Sequence, residues 1–257
     1  MPEISVNGIR THFHQETENK GNNPYVIFIH GAGQSCHCWK YQFRLSKQLK
    51  HYNFIFLDLP GHGKSEGEGF KSIKEYSDFI HSFINKMDIG DYVLVGHSMG
   101  GRITQVNLVD HPHNAIGAVL VGTGPRIRVT RHAIELARKS FRDFADMAAE
   151  NSFSKSAPSE LKTEFKELLL RSNPETAAND LAACNEFDTT DILLKIKVPT
   201  YIITGREEKL APIKNSVRLK NLIDNSKMEI IDGAGHFVML EKPAEFNRIV
   251  TEFLNFL

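Results

Sequence analysis

Two hydrophobic rhythms alternate along the chain. Near-continuous apolar runs that end in glycine recur at residues 24–31 (PYVIFIHG), 53–61 (NFIFLDLPG), 92–98 (YVLVGHS, with the glycine inside), 115–124 (AIGAVLVGTG), 199–205 (PTYIITG) and 227–235 (KMEIIDGAG). Such runs suit strands buried on both faces. Between most of them the apolar positions step by three and four, as in Ile73, Tyr76, Ile80, Phe83, Met87 and again in Phe246, Ile249, Val250, Phe253, Leu257. That spacing puts one apolar stripe on a helix. Ahead of the first run, Asn7-Gly8 between two short strand-like segments is a two-residue hairpin signal. Strands alternating with helices predict an α/β fold on a mostly parallel sheet covered on both sides.

One interval breaks the alternation. From residue 125 to about 194 no strand pattern occurs, only helical segments expected at 130–150, 159–171 and 174–187. Pro158 and Pro174 fall near two of the helix starts, where proline is tolerated. The chain therefore divides into core residues 1–124, a helical insertion 125–194 and core residues 195–257. An all-helical insertion after one strand reads as a cap on the carboxyl edge of the sheet, the edge at which open α/β sheets bind ligands.

Composition narrows the partners. Basic and acidic residues balance at 31 each, which argues against nucleic acid or an anionic membrane as the main partner. No apolar run reaches the roughly 20 residues of a membrane span. The opening MPEISVNGIR has no basic segment followed by an apolar stretch, so no signal peptide is expected. Three cysteines, Cys36, Cys38 and Cys184, make no disulfide framework, and a cytoplasmic location is the simplest expectation. Cys36-His37-Cys38 lacks the spacing and the second pair of a zinc site, so no metal is expected. That segment is expected to open the first helix, with Trp39 packing under the cap.

The chemistry starts at Gly96-His97-Ser98-Met99-Gly100-Gly101, which follows a buried strand and precedes a helix. This is G-x-S-x-G in the strand–turn–helix setting that exposes a nucleophile. The turn is tight enough that side chains flanking the serine would collide with strand and helix. Arg102 in the first helical turn is slightly unfavourable there. A serine hydroxyl needs a base. Of the 12 histidines, His236 is favoured because it follows the last strand, on a loop that Gly233 and Gly235 make flexible. His97, His62 and His30 read as structural polar groups. Oxyanion donors are expected from the N–H of Met99, the residue after the nucleophile, and from the N–H of Ala32 in His30-Gly31-Ala32-Gly33.

Taken together, HGAG at 30–33, DLPGHGKS at 58–65, GHSMGG at 96–101, GREEKLAP at 205–212 and GAGH at 233–236 resemble the α/β-hydrolase fold family, in the family's order. The resemblance implies an eight-stranded, mostly parallel sheet, a helical cap after the sixth strand and a Ser–acid–His triad. The acid of the family sits just past the seventh strand, commonly as aspartate in G-x-x-D-x-x-x-P. The matching position here is Glu208, with Pro212 in place. Glutamate is one methylene longer, so either its loop retreats or the carboxylate folds back. Glu207 is the competing candidate and is otherwise solvated charge. Asp232 lies too close to His236 along the chain.

These residues point to a serine hydrolase of small to medium carboxylic esters that needs no cofactor. Thioester, monoacylglycerol, lactone and carbon–carbon bond hydrolysis or perhydrolysis use the same triad on this fold, and a small-molecule receptor for a signalling partner is the reading from another class. The substrate is expected to be a small ester-like molecule, chosen by apolar cap residues such as Phe141, Phe144, Phe153, Leu161, Phe165 and Leu168. Arg126 and Arg128, at the entry to the cap, are solvated or meet a substrate anion. Oligomeric state has no signature in the sequence.

Overall fold

A computed structural model describes residues 2–17, 23–186 and 188–257. The sheet has eight strands in the order β1-β2-β4-β3-β5-β6-β7-β8. They are β1 (Glu3–Val6), β2 (Ile9–Glu16), β3 (Tyr25–Ile29), β4 (Asn53–Leu57), β5 (Tyr92–His97), β6 (Ala115–Val121), β7 (Thr200–Gly205) and β8 (Ser226–Ile231). β1–β2 and β2–β4 pair antiparallel, and the other neighbours pair parallel. The hairpin turn carries Asn7 and Gly8 at φ 51° and 82°, the two left-handed residues its strand twist demands.

Alternation along each strand sorts the core into two faces. Ile27, Ile29, Ile55, Leu57 and Leu94 share a cluster with α1 (Ile73–Lys86) and α2 (Met99–Asp110). Val26, Phe28, Phe54, Phe56 and Val95 share another with Trp39 and the carboxyl-terminal helix. The stripe of that helix is buried at Phe246, Ile249, Val250 and Phe253. Each such side chain contributes about 1.5–3 kcal/mol by leaving water.

Among the described residues, four α-helices run between β6 and β7, followed by a 3₁₀ turn at Leu193–Lys195: α3 (Arg131–Lys139), α4 (Phe141–Ser152), α5 (Ser159–Leu169) and α6 (Pro174–Glu186). After β7 come α7 (Ile213–Leu222), α8 (Val238–Glu241) and α9 (Pro243–Phe256), the carboxyl-terminal helix. Two expectations change here. Residues 130–150 are two helices rather than one, because Ser140 leaves helical backbone at φ −146° and ψ 76°, ending α3 and capping α4. Cys36 opens no α-helix: Cys36–Trp39 and Phe43–Lys47 form 3₁₀ turns. Trp39 turns inward from the first of them, its ring 5.0 Å from Phe28 and 6.1 Å from Phe246, in the core cluster that Phe144, Phe153 and Phe165 of the insertion share. The third helical segment ends at Glu186, and Phe187, its expected last residue, lies outside the described residues. Among the described residues no helix is long and apolar enough to cross a membrane.

Candidate active site

β5 delivers the chain into Ser98 at φ 52° and ψ −114°, a left-handed conformation that strains a residue with a side chain. Neighbours hold it there. Ser98 N–H donates to Val121 O at 2.9 Å, and Thr123 Oγ1 donates to Ser98 O at 2.8 Å. The flanking glycines are a packing necessity. A Cβ on Gly96 would lie 2.3 Å from Gly100 O, and one on Gly100 would lie 2.2 Å from Ile29 O. The turn thus presses strand, helix and the loop after β3 together. A Cβ on Gly31 would meet Ser98 Cβ at 3.1 Å, so the HGAG loop lies directly on the serine.

Two backbone donors flank that point. Met99 opens α2, where the first N–H groups have no partner within the helix. Among the described residues neither Met99 N–H nor Ala32 N–H has a protein acceptor. Both sit at the positive end of α2 or on the loop packed against it, which favours a developing anion.

His236 lies on the loop after β8. Its Nδ1 is 2.6 Å from Glu208 Oε2, both side chains being buried. With a carboxylate at Nδ1 the proton sits there, and Nε2 is left with a lone pair to accept another. Glu208 accommodates its extra methylene by folding back on its own loop: Oε1 accepts the N–H of Leu210 at 2.7 Å and of Ala211 at 3.0 Å. Burial opposes ionisation, but His236 and these two amides outweigh it and hold the Glu208 carboxyl below its ordinary value of 4.5. A Cβ on Gly122, at the end of β6, would come within 3.2 Å of His236 Nδ1 and 3.3 Å of Glu208 Oε2. Residues from the ends of β5, β6, β7 and β8 therefore converge on one edge of the sheet.

Several residues differ from their sequence reading. Glu207 is not merely solvated, because its Oε2 accepts Lys155 N–H, in the loop between α4 and α5, at 2.9 Å. Asp232 is turned away onto exposed Arg206 at 2.8 Å. The loop bearing His236 is tied down rather than flexible. His236 N–H donates to Ser152 O at 2.8 Å, Gly235 N–H to Glu241 Oε1 at 2.8 Å, and His97 Nε2 lies 3.0 Å from His236 O. Gly235 is needed for closeness, since a Cβ there would lie 2.7 Å from Ser154 N. Burial and the proximity of His236 hold the His97 pKa well below 6.5, so the ring is a neutral brace. Arg102 leaves the helix surface altogether. It is fully buried and donates to Cys184 O, in the last turn of α6, at 2.7 Å. There a cation meets the negative end of a helix, the placement its own helix did not offer. Arg126 and Arg128 are exposed.

Sequence reasoning missed Asp180 and Glu241 entirely. Asp180 of α6 accepts Gly33 N–H at 2.9 Å, and Glu241 of α8 accepts both Gly235 N–H and Ser154 N–H. Acidic residues on helices give no local sign of such distant partners. Cys36, His37 and Cys38 do not converge on a common point, but His12, Cys36 and Asp58 bring one ligand atom each within 4.8 Å of one another. Hydrogen bonding already accounts for that group: Asp58 accepts Cys36 N–H at 2.7 Å and Lys64 N–H at 3.0 Å, and lies 2.7 Å from His12 Nδ1. Beside the HGAG loop, a cavity of about 670 Å³ is lined by Gly33, Gln34, Leu161, Phe165, Leu168 and Leu240 among others, with Ser98 and His236 outside its walls. Phe153 of the insertion stacks on Phe237, next to His236, with ring centres 5.4 Å apart, and Phe165 packs against the same ring at a tilt, 5.0 Å away.

The comparisons with known proteins agree with this architecture. A family model described as the alpha/beta hydrolase family matches residues 26–249. A solved thermophilic esterase is 31% identical, with a TM-score of 0.86 over 99% of this chain and 96% of its own. An enol-lactonase from Burkholderia xenovorans superposes with a TM-score of 0.92 at 22% identity, over 99% and 100% of the two chains. A 2-hydroxy-6-oxo-2,4-heptadienoate hydrolase from Pseudomonas putida is 24% identical over 98% of this chain and 95% of its own.

Proposed function

The chain belongs to the alpha/beta hydrolase family, and from that premise we propose that it hydrolyses small to medium carboxylic esters through a Ser98–His236–Glu208 triad. The reading is carried by the buried 2.6 Å contact between His236 Nδ1 and Glu208 at the sheet edge that also bears the Ser98 turn. Glu208 fixes the imidazole tautomer and balances the imidazolium that forms, while His236 Nε2 takes the Ser98 proton. Ser98 Oγ then bonds to the ester carbonyl carbon, and the carbonyl electron pair moves to oxygen. The N–H groups of Ala32 and Met99 receive that oxyanion. Collapse expels the alcohol, protonated by His236, and leaves an acyl-serine. Water, deprotonated by the same Nε2, repeats the sequence in reverse and releases the acid.

Residues 125–194 act in this scheme as a cap. Apolar side chains from it line the 670 Å³ cavity beside the HGAG loop, a volume within the range of small-molecule sites. Because Ser98 and His236 do not line it, the reading assigns that cavity to the far end of the acyl group and not to its carbonyl. The esterase at 31% identity makes an ester the first substrate to try. Steady-state hydrolysis of p-nitrophenyl esters from acetate to palmitate, with Ser98→Ala beside the wild type, tests the reading. Turnover that disappears in Ser98→Ala is expected. Equal, near-background rates for both proteins would overturn it and move the search to thioesters or carbon–carbon bonds.

A further inference from the structure

The N–H of Ala32 can stabilise an oxyanion only if its peptide plane is held at one angle, and the structure pins that plane on one side and the adjoining peptide, joined to it through the Ala32 Cα, on the other. On one side the Gly31 carbonyl accepts from His30 Nδ1 at 2.8 Å and from Gln34 N–H at 3.2 Å. His30 Nε2 accepts Leu59 N–H at 3.1 Å, which fixes the donor at Nδ1. In a trans peptide the C=O of residue 31 and the N–H of residue 32 point in opposite directions, so holding one aims the other. On the other side Gly33, at φ 64°, donates its N–H to Asp180 Oδ2 at 2.9 Å.

Asp180 is an unusual anchor. It comes from α6, in the insertion, and is fully buried. The same Oδ2 lies 2.7 Å from His62 Nε2, and Oδ1 accepts the Tyr76 hydroxyl at 2.7 Å. His62 Nδ1 in turn lies 3.0 Å from Pro60 O. Both nitrogens of His62 therefore face acceptors, an arrangement satisfied only when both carry protons. Burial works against that charge, but Asp180 more than offsets it and raises the His62 pKa. The result is a buried ion pair with no part in proton transfer to the serine. One of its oxygens holds the oxyanion loop, and the other holds α1.

We infer that Asp180, with His62 as its counter-ion, is a positioning residue for the oxyanion site: through the Gly33 amide, the insertion sets the angle of the Ala32 N–H over Ser98. This rests on the triad reading above. It separates the two oxygens of one carboxylate, since loss of the Oδ1 partner would weaken the fold while loss of the Oδ2 partner would also slow chemistry.

The test compares Asp180→Ala, Asp180→Asn and Tyr76→Phe with the wild type. Three quantities are measured: kcat and KM on p-nitrophenyl acetate, the second-order rate of Ser98 labelling by a fluorophosphonate, and Tm. Asp180→Ala is expected to lose about 10–100-fold in kcat and in labelling rate, with KM within about threefold, less than the full loss of an oxyanion donor. Asp180→Asn, whose amide oxygen can still accept from Gly33, is expected to recover most of the rate without recovering Tm. Tyr76→Phe is expected to lower Tm and leave both rates near wild type. If Asp180→Ala does not fold, Asp180→Ser replaces it under the same criterion, its hydroxyl being too short to reach Gly33. Wild-type labelling and kcat in the folded Asp180 variant would overturn the inference, as would an equal rate loss in Tyr76→Phe. Failure of the wild type to label at Ser98 would instead overturn the triad reading.

Discussion

Glu207 and Glu208 are neighbours in sequence with different work. Glu208 reaches His236 Nδ1 and is buried, while Glu207 holds the Lys155 amide of the insertion. Glu208→Gln is therefore expected to lower kcat on an ester by about 10³–10⁴-fold, the scale set by loss of the tautomer-fixing acid in a serine triad. Glu207→Gln keeps an amide oxygen for Lys155 and is expected to stay within about threefold of wild type. If Glu207→Gln alone abolished turnover, the acid would be misassigned. The carboxyl of Glu208 also links folding to pH. Its pKa lies below 4.5 in the folded protein, so its contribution to stability is present above about pH 4.5 and disappears as pH falls through the folded value. Denaturant titrations at stepped pH should show wild type losing more stability than Glu208→Gln over that acid range. Identical slopes would mean that the carboxyl gains nothing from His236. The placing of Ser98 and His236 at the sheet's carboxyl edge could be read from sequence because each follows a strand in a glycine-marked turn. Glu208 needed the family pattern, since a charge pair in a loop carries no direction of its own. Asp180 and Arg102 could not be read: their partners Gly33 and Cys184 are 147 and 82 residues away, and only the folded chain brings them together.

Among the elements, the strand–turn–helix unit of β5 and α2 is tightly constrained, because three backbones meet with hydrogen atoms between them. A Cβ on Gly100 would lie 2.2 Å from the carbonyl oxygen of Ile29, which β3 cannot move without losing its register. Gly100→Ala is expected to cost about 1–3 kcal/mol or more, seen as a lower denaturation midpoint or as insoluble protein. Gly90, with nothing within 4 Å of its added Cβ and no positive φ, provides the control. Gly90→Ala is expected to be neutral or to stabilise by up to about 1 kcal/mol through the unfolded chain. Equal losses at both positions would mean that close contact is not what selects glycine at the turn. The central parallel strands were legible because they are buried on both faces and apolar at most positions, and the hairpin because Asn-Gly fits its left-handed turn. The 3₁₀ turns after β3 were not, since Cys36–Trp39 is too short to show a period and its burial follows from the fold around Trp39. The break at Ser140 does not show in the apolar stripes, which continue from α3 into α4, although the Ser140-x-x-Asp143 spacing is that of a helix start.

At the scale of the whole molecule, the insertion and the core meet through hydrogen bonds at the sheet's carboxyl edge. The Ser152 carbonyl takes the amide of His236, Asp180 takes the amide of Gly33, and Glu207 takes the amide of Lys155. The insertion is thus fastened to the loops that carry His236, Gly33 and Glu207. Under the proposed ester hydrolysis, acyl-chain selection is expected to be a property of the insertion's apolar side chains rather than of the triad. Leu168 tests this, being a half-buried wall of the 670 Å³ cavity with no bond to the triad or the HGAG loop. Leu168→Trp fills part of that space. It is expected to lower kcat/KM for the longest p-nitrophenyl ester the wild type accepts by about tenfold or more, the scale of one or two ill-fitting methylenes in an apolar pocket. Acetate, which needs little of the cavity, should keep its kcat/KM within about twofold. The ratio of the two constants is the readout, since a loss of folded enzyme scales both equally and leaves the ratio unchanged. A ratio equal to that of wild type would show that the acyl group lies elsewhere, and the cavity beside the HGAG loop would then have no part in choosing the substrate.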